Sequence, residues 1–162
     1  MKHIIITFLS IFFSFTSFAI GQITGATSVC AGGTTTLSDT SSGGTWTCSN
    51  HSIAAIGSTS GIVTGVSSGT ATITYTVGLS FATTTITVNP LPASISGATS
   101  VSAGSAIPLV DATPFGSWST SNPSIAMCAA VPGVIAGVSS GTASISYILP
   151  TGCSTAISLT VY

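Results

Sequence analysis

The stretch Ala71-Thr-Ile-Thr-Tyr-Thr-Val77 alternates apolar and polar side chains without a break. Successive side chains of a β-strand point to opposite faces of a sheet, so this period of two indicates a strand with one buried face. The pattern returns as Ala143-Ser-Ile-Ser-Tyr147, and the segments 84–88 and 157–161 follow it as a further strand in each half. The sequence therefore predicts an all-β protein.

The second half of the chain repeats the first in one continuous register, which places residue 95 opposite residue 23. Residues 23–76 are identical to residues 95–148 at 27 of 54 positions. A repeat of this length and similarity indicates a duplicated domain. The intervening segment Asn89-Pro-Leu-Pro92 contains two prolines, which predicts a stiff, extended linker.

The N-terminal segment 1–19 has the layout of a secretory signal peptide. Lys2 and His3 precede the apolar run Ile4–Phe18, and Ser17 and Ala19 supply small residues before a cleavage site. The apolar run is shorter than the roughly 20 residues that a membrane-spanning helix needs. We therefore expect export to the cell surface or the medium, with no stable membrane span after cleavage.

Further strands are predicted at 33–38, 45–49, 53–57 and 62–66, with glycine-containing turns between them. Short strands at intervals of about ten residues are typical of a β-sandwich. The predicted organisation is a signal peptide at 1–19, one sandwich domain at 20–89, a linker at 90–92 and a second sandwich domain at 93–162. No helix longer than a single turn is expected in the mature chain.

Charged residues make up only 2% of the chain, with one Lys, two Asp and no Arg or Glu. A typical soluble domain is about 25% charged. Nucleic-acid binding requires clustered Lys and Arg, so it is excluded. Disorder driven by charge is also excluded, because the chain is 44% hydrophobic.

The repeated motifs resemble the bacterial immunoglobulin-like group 2 domain. They lie at Gly33–Leu37, Trp46–Asn50, Ser52–Ala54, Gly61–Val66 and Gly69–Tyr75, and in the second copy at Leu109, Trp118–Asn122, Ser124–Ala126, Gly133–Val138 and Gly141–Tyr147. The resemblance implies two tandem immunoglobulin-like β-sandwich domains of the kind found in invasin- and intimin-like adhesins. The linker and the Ser/Thr-rich composition are similar to surface-protein repeats of the Bacteroidetes group.

Four cysteines in an exported chain suggest disulfides, for which three connectivities are possible. Cys30 and Cys48 belong to the first copy, and Cys128 and Cys153 to the second. Each copy has two cysteines where the other has none, which favours pairing within a copy, as Cys30–Cys48 and Cys128–Cys153. The alternative is that one or more are free buried thiols.

The candidate chemical motifs do not form a catalytic or metal site. Ser67 and Ser139 lie in Gly-x-Ser-x-Gly motifs, but a strand follows each motif, whereas a nucleophile elbow requires a helix. Asp39 and Asp111 occupy equivalent positions in different domains, so they are expected to cap turns rather than to act as a pair. No cofactor is expected.

The aromatic residues divide into predicted core and predicted contact positions. Trp46 and Trp118 fall mid-strand in both copies, and Tyr75 and Tyr147 lie on the inward phase of a strand. All four are assigned to the core, and the alternative for the tryptophans is a stacking platform for sugars. Phe81 and Phe115 are candidates for a small contact patch, because neither has an aromatic counterpart in the other copy.

These observations favour a non-enzymatic structural or adhesion module that is secreted or held at the cell surface. The alternatives are a module that binds carbohydrate or another surface polymer, and a fragment of a longer adhesin. Candidate partners are other surface proteins, glycans and further copies of the chain. Self-association is included because the strand edges lack the lysines that usually prevent pairing with another chain. We expect these edges to include the first and last strands of each copy.

Overall fold

The structure, a computed structural model, describes residues 20–162, and the predicted signal peptide lies outside this range. Residues 20–162 form fifteen strands and no helix, which confirms the predicted all-β class. The strands are β1 (Ser28–Cys30), β2 (Thr34–Thr36), β3 (Thr45–Cys48), β4 (Ala54–Ile56), β5 (Ile62–Gly65), β6 (Gly69–Val77), β7 (Ser80–Asn89), β8 (Ser96–Gly97), β9 (Ser100–Val101), β10 (Ala106–Val110), β11 (Ser117–Thr120), β12 (Ala126–Cys128), β13 (Val134–Gly137), β14 (Gly141–Ile148) and β15 (Ser154–Val161).

Each half of the described chain consists of two sheets. The first half has the strand orders β1-β7-β6-β3 and β2-β5-β4, and the second has β9-β15-β14-β11 and β12-β13-β10-β8. The two halves are tandem immunoglobulin-like sandwiches, as predicted. The exact boundaries at 20–89, 90–92 and 93–162 stay predictions.

Strand alternation builds a separate hydrophobic core in each half. In β6, Ala71, Ile73 and Tyr75 are buried, whereas Thr70 and Thr72 are exposed. Their neighbours in the first core include Leu37, Val63, Ile86 and Val88, and the second core has Leu109, Ile135, Ile145 and Leu159. The period of two in the sequence therefore reports which face of each sheet is inside.

The first strand of the first half, β1, was not among the strands predicted from the sequence. It pairs in parallel with the end of β7, and Cys30 lies opposite Asn89. In the second half, β9 pairs in parallel with the end of β15 in the same way. These short strands place the start of each domain beside its end.

The pairing also corrects the predicted edge strands. The last strands, β7 and β15, are internal, because each is flanked by β1 or β9 on one side. The edge strands are β1, β2, β3, β4, β8, β9, β11 and β12, and each has only two to four residues. Very short edges offer little backbone for pairing with another chain, so they weaken the case for association through strand edges.

Candidate functional site

A tryptophan and a tyrosine face each other across neighbouring strands in each domain. Trp46 lies opposite Tyr75, with ring centroids 4.5 Å apart, and Trp118 lies opposite Tyr147 at 5.1 Å. Directly opposite residues of an antiparallel pair share one face of the sheet, which brings the rings together. Trp46, Tyr75 and Tyr147 are buried, but Trp118 is only partly buried.

The tyrosine hydroxyl fixes the loop that precedes the tryptophan strand. The Tyr147 hydroxyl accepts a hydrogen bond from the Gly116 N–H at 2.9 Å and donates one to the Thr113 carbonyl at 2.6 Å. Tyr75 makes the same two contacts, with Gly44 at 3.0 Å and Ser41 at 2.8 Å. A Cβ at Gly116 would overlap the Tyr147 ring, so glycine is required there.

The two aspartates cap turns, as predicted. One oxygen of Asp39 accepts a hydrogen bond from the Ser41 N–H at 2.7 Å, and one oxygen of Asp111 accepts from the Thr113 N–H at 2.8 Å. The other oxygen of each carboxylate is buried without a hydrogen-bond partner among the described residues. Within residues 20–162, no group of three metal-ligating side chains occurs.

The serines of the Gly-x-Ser-x-Gly motifs lie in turns between strands, as predicted. The Ser67 hydroxyl donates to the Ser52 carbonyl at 2.5 Å, and the Ser139 hydroxyl donates to the Ser124 carbonyl at 2.6 Å. Both hydroxyls therefore close local turns, and a strand, β6 or β14, follows each of them.

A pocket of about 380 Å³ opens beside Trp118 in the second domain. Its lining combines apolar and aromatic side chains with two polar ones, Asp111 and Thr113. The apolar and aromatic side chains include Leu109, Val110, Pro114, Trp118, Pro132 and Tyr147. Partial exposure of Trp118 thus results from its position in the wall of a pocket. The sequence placed both tryptophans in the core and did not predict the difference between them.

Phe81 and Phe115 are both exposed, at 65% and 88% of their surface, but they belong to different domains. Phe81 is the second residue of β7, and the turn at Gly78 and Leu79 comes just before this strand. Phe115 lies between Pro114 and Gly116, which both line the pocket, but it is not itself one of the lining residues. They are therefore two separate exposed positions and do not belong to one domain surface.

The predicted disulfide pairs are wrong. The disulfide joins Cys30 of the first domain to Cys153 of the second, with a Cα–Cα distance of 5.7 Å, and Cys48 and Cys128 are free. Cys30 and Cys48 lie on β1 and β3, at opposite edges of one four-stranded sheet. Three strand spacings separate them by about 14 Å. That distance is far beyond the roughly 7 Å that a disulfide can span.

The second predicted pair fails because its members lie in different parts of the second sandwich. Cys128 ends β12 in one sheet, whereas Cys153 lies in the turn before β15 of the other sheet. Cys30 is paired with Asn89, the last residue before the linker, and so lies at the junction between the domains. All four cysteines lack a cysteine at the matching position of the other copy, so the repeat does not distinguish the linked pair from the two free thiols.

Thiol labelling should separate the four cysteines. Cys48 is buried, with its Sγ 3.5 Å from the Asn50 carbonyl, and burial raises the pKa of the Cys128 thiol. The thiolate is the reactive species, so a raised pKa leaves less of it at a given pH. In the native protein we expect slow alkylation of Cys128 that accelerates with rising pH, and alkylation of Cys48 only on unfolding.

The measurement is mass spectrometry after iodoacetamide treatment of native and of denatured, non-reduced protein. Denatured protein should carry two labels, on Cys48 and Cys128, and a linked Cys30–Cys153 peptide. Four labels, or a linked peptide that contains Cys48, would contradict the assignment.

The comparisons with known proteins confirm the resemblance. Residues 19–88 match the family model of the bacterial Ig-like domain (group 2). The second domain is related to this matched segment by the internal repeat. A search of curated proteins gave no match.

Among solved structures, the C-terminal 282-residue fragment of intimin, in complex with the intimin-binding domain of the translocated intimin receptor, is similar with a TM-score of 0.55. The identity is 13%, and the match covers 88% of this chain and 64% of that one. Domains 4 and 5 of the S-layer protein SbsC match with 17% identity and a TM-score of 0.41, over 88% of this chain and 98% of that one. At these identities the likeness to intimin supports the fold alone.

Residues 20–162 contain no helix that is long and apolar enough to span a membrane.

Proposed function

We propose that the protein is an exported, non-enzymatic structural or adhesion module of a bacterial cell surface. The observation that carries the proposal is the Cys30–Cys153 disulfide, which joins two consecutive immunoglobulin-like domains. Disulfides form and persist in oxidising compartments outside the cytosol. The apolar segment at residues 4–18 supports the same compartment, because it has the layout of a signal peptide.

The chemistry of the described residues supports a structural role over an enzymatic one. The two carboxylates belong to different domains, where each one caps its own turn. The serines of the nucleophile-like motifs donate their hydroxyl protons to backbone carbonyls. General acid–base and nucleophilic catalysis require such groups to be in reach of one another.

The position of the disulfide suits a module that transmits force. The disulfide joins the end of β1 in the first domain to the turn before β15 in the second, across a sequence separation of 123. Tension between the ends would pass through β1, the disulfide and β15. The rest of both domains would lie inside a covalently closed loop. A surface spacer of this construction would resist extension even if its domains unfolded.

Export can be tested with a tag placed after Tyr162 and with a variant that lacks residues 1–19. We expect the full-length chain outside the cytosol, where added protease reaches the tag and Cys30 is linked to Cys153. The variant without residues 1–19 should stay inside, with all four thiols reduced. A full-length chain that remained protected and reduced in intact cells would overturn the proposal.

A further inference from the structure

We propose that the pocket beside Trp118 in the second domain binds the hairpin tip of the first domain of another copy of this chain. The hairpin tip is defined as Leu79 and Phe81, at the turn between β6 and β7, and the pocket is the 380 Å³ opening beside Trp118. The tip is apolar and exposed, the pocket is lined by apolar side chains together with Asp111 and Thr113, and both belong to the same chain. Two copies therefore carry complementary surfaces.

The pocket end of the second domain carries apolar side chains at several positions where the first domain has polar residues or glycine. In the register that places residue 95 opposite residue 23, five residues at this end are identical in the two domains. In the second domain they are Leu109, Asp111, Gly116, Trp118 and Tyr147. The residues around them change from polar or glycine to apolar: Ser38 to Val110, Thr40 to Ala112, Ser42 to Pro114, Gly43 to Phe115, Thr59 to Val131 and Ser60 to Pro132. Val110, Phe115 and Val131 are exposed. Core packing does not account for apolar replacements at exposed positions.

The backbone at Phe115 is a second, independent sign of a contact surface. Phe115 has a φ of 68°, in the left-handed region, where its counterpart Gly43 has 77°. A bulky residue rarely adopts this conformation, because its Cβ collides with the backbone. Its side chain is 88% exposed, so packing within the chain does not compensate for the strain. Strained residues of this kind cluster at binding sites.

The hairpin tip has exposed apolar residues only in the first domain. Leu79 is 96% exposed, and its counterpart in the second domain is Thr151. The counterpart of Phe81 is Cys153, which is bonded to the first domain. The second hairpin is thus held at the domain junction, whereas the first presents a leucine and a phenylalanine to solvent.

The hairpin tip cannot reach the pocket of its own chain. Leu79 directly precedes β7 and Asn89 ends it, and the ten residues of this strand span about 33 Å. The pocket loop is next to the turn that carries Cys153, because Ser117 pairs with Ile148 and the Leu149 N–H donates to the Cys153 carbonyl. The disulfide holds that turn at Cys30, beside Asn89. The linker and the disulfide therefore keep the two surfaces apart within one chain.

The pocket has room for the hairpin tip, and the contact needs no charge. A cavity of about 150 Å³ holds a benzene molecule, so 380 Å³ accommodates a phenylalanine ring and a leucine side chain together. Asp111 is the one acidic residue in the lining of the pocket, and the tip carries no charge. Burial of apolar side chains would drive the contact, and salt would not weaken it.

The test is sedimentation velocity of residues 20–162 across micromolar to submillimolar concentrations. Each variant restores the residue found in the other repeat: Leu79→Thr removes the exposed leucine of the tip, and Phe115→Gly removes the exposed phenylalanine beside the pocket. Both positions are exposed, and glycine suits the positive φ of Phe115, so both variants should keep the native circular dichroism spectrum. We expect the wild type to associate, and each variant to associate at least about tenfold more weakly, as for hot-spot residues.

Two controls separate this contact from other kinds of association. Val138→Thr removes an exposed valine outside the pocket, and Thr47→Lys adds a lysine to the edge strand β3. Both should associate like the wild type. An equimolar mixture of Leu79→Thr and Phe115→Gly should form only pairs with one copy of each, because only one intact tip and one intact pocket remain.

Three results would overturn the proposal. The first is a wild type that stays monomeric at every concentration. The second is association that survives both Leu79→Thr and Phe115→Gly, or that Thr47→Lys alone abolishes, since a strand edge would then be responsible. The third is a monomeric wild type whose pocket binds oligosaccharides and loses that binding in Phe115→Gly, which would assign the pocket to carbohydrate.

Discussion

Reduction of the Cys30–Cys153 disulfide should lengthen the fully stretched chain by about 440 Å, because each residue step contributes up to about 3.6 Å to an extended chain. The disulfide bypasses a sequence separation of 123. With the disulfide intact, only the short segments outside Cys30 and Cys153 can extend when the chain is pulled from residues 20 and 162. With the disulfide reduced, both domains can unravel.

Single-molecule force spectroscopy with handles at residues 20 and 162 measures this difference directly. Oxidised molecules should show one short extension, and reduced molecules should show two domain-sized steps. The variant Cys30→Ser/Cys153→Ser should behave like the reduced protein whether or not reductant is present. Equal extensions for the oxidised and reduced wild type would contradict the cross-domain link.

The same bond should also stabilise the folded protein in solution. A closed loop of this length lowers the entropy of the unfolded chain by an amount worth about 5 kcal/mol in the chain-entropy model. Cys128→Ser is the matched control, because it removes a thiol without removing a crosslink. It should lower the free energy of unfolding by much less than Cys30→Ser does.

Much of the fold could be predicted because its main signals are local. The alternation in 71–77 and 143–147 identified β6 and β14, and the phase of this alternation placed Tyr75 and Tyr147 on the buried face. The turn role of Asp39 and Asp111 also follows from local chemistry, since the carboxylate bonds a backbone N–H two residues ahead. Such features depend on neighbours in the sequence and so can be inferred from it.

The missed features depend on contacts between distant residues. The strand β1 is too short to show a period, and its parallel pairing with β7 joins Ser28 to Thr87, far apart in the sequence. The disulfide followed from that pairing, because β1 places Cys30 beside the linker. The pocket beside Trp118 depends on two loops that differ between the repeats. The neighbouring strands are shared by both repeats, so they did not indicate that only one tryptophan would be partly exposed.

Trp46→Ala should be the most damaging single substitution in the first core, and Trp118→Ala should cost clearly less. Trp46 is 5% exposed and packs against Tyr75. Loss of a buried tryptophan leaves a large cavity and typically lowers the free energy of unfolding by about 3–5 kcal/mol. A small domain has a total stability of about 5–15 kcal/mol, so the first domain would be close to unfolding.

Trp118 is already partly in contact with solvent in the wall of the pocket. Trp118→Ala therefore removes less buried surface than Trp46→Ala, and water can enter the enlarged pocket. Each variant retains one tryptophan, so fluorescence reports the domain that was not changed, and far-ultraviolet circular dichroism in urea reports both. Trp46 in the Trp118→Ala variant should emit at shorter wavelength than Trp118 in the Trp46→Ala variant. Equal losses of stability, or a red-shifted Trp46, would mean that the two tryptophans have the same surroundings and that the pocket is closed in solution.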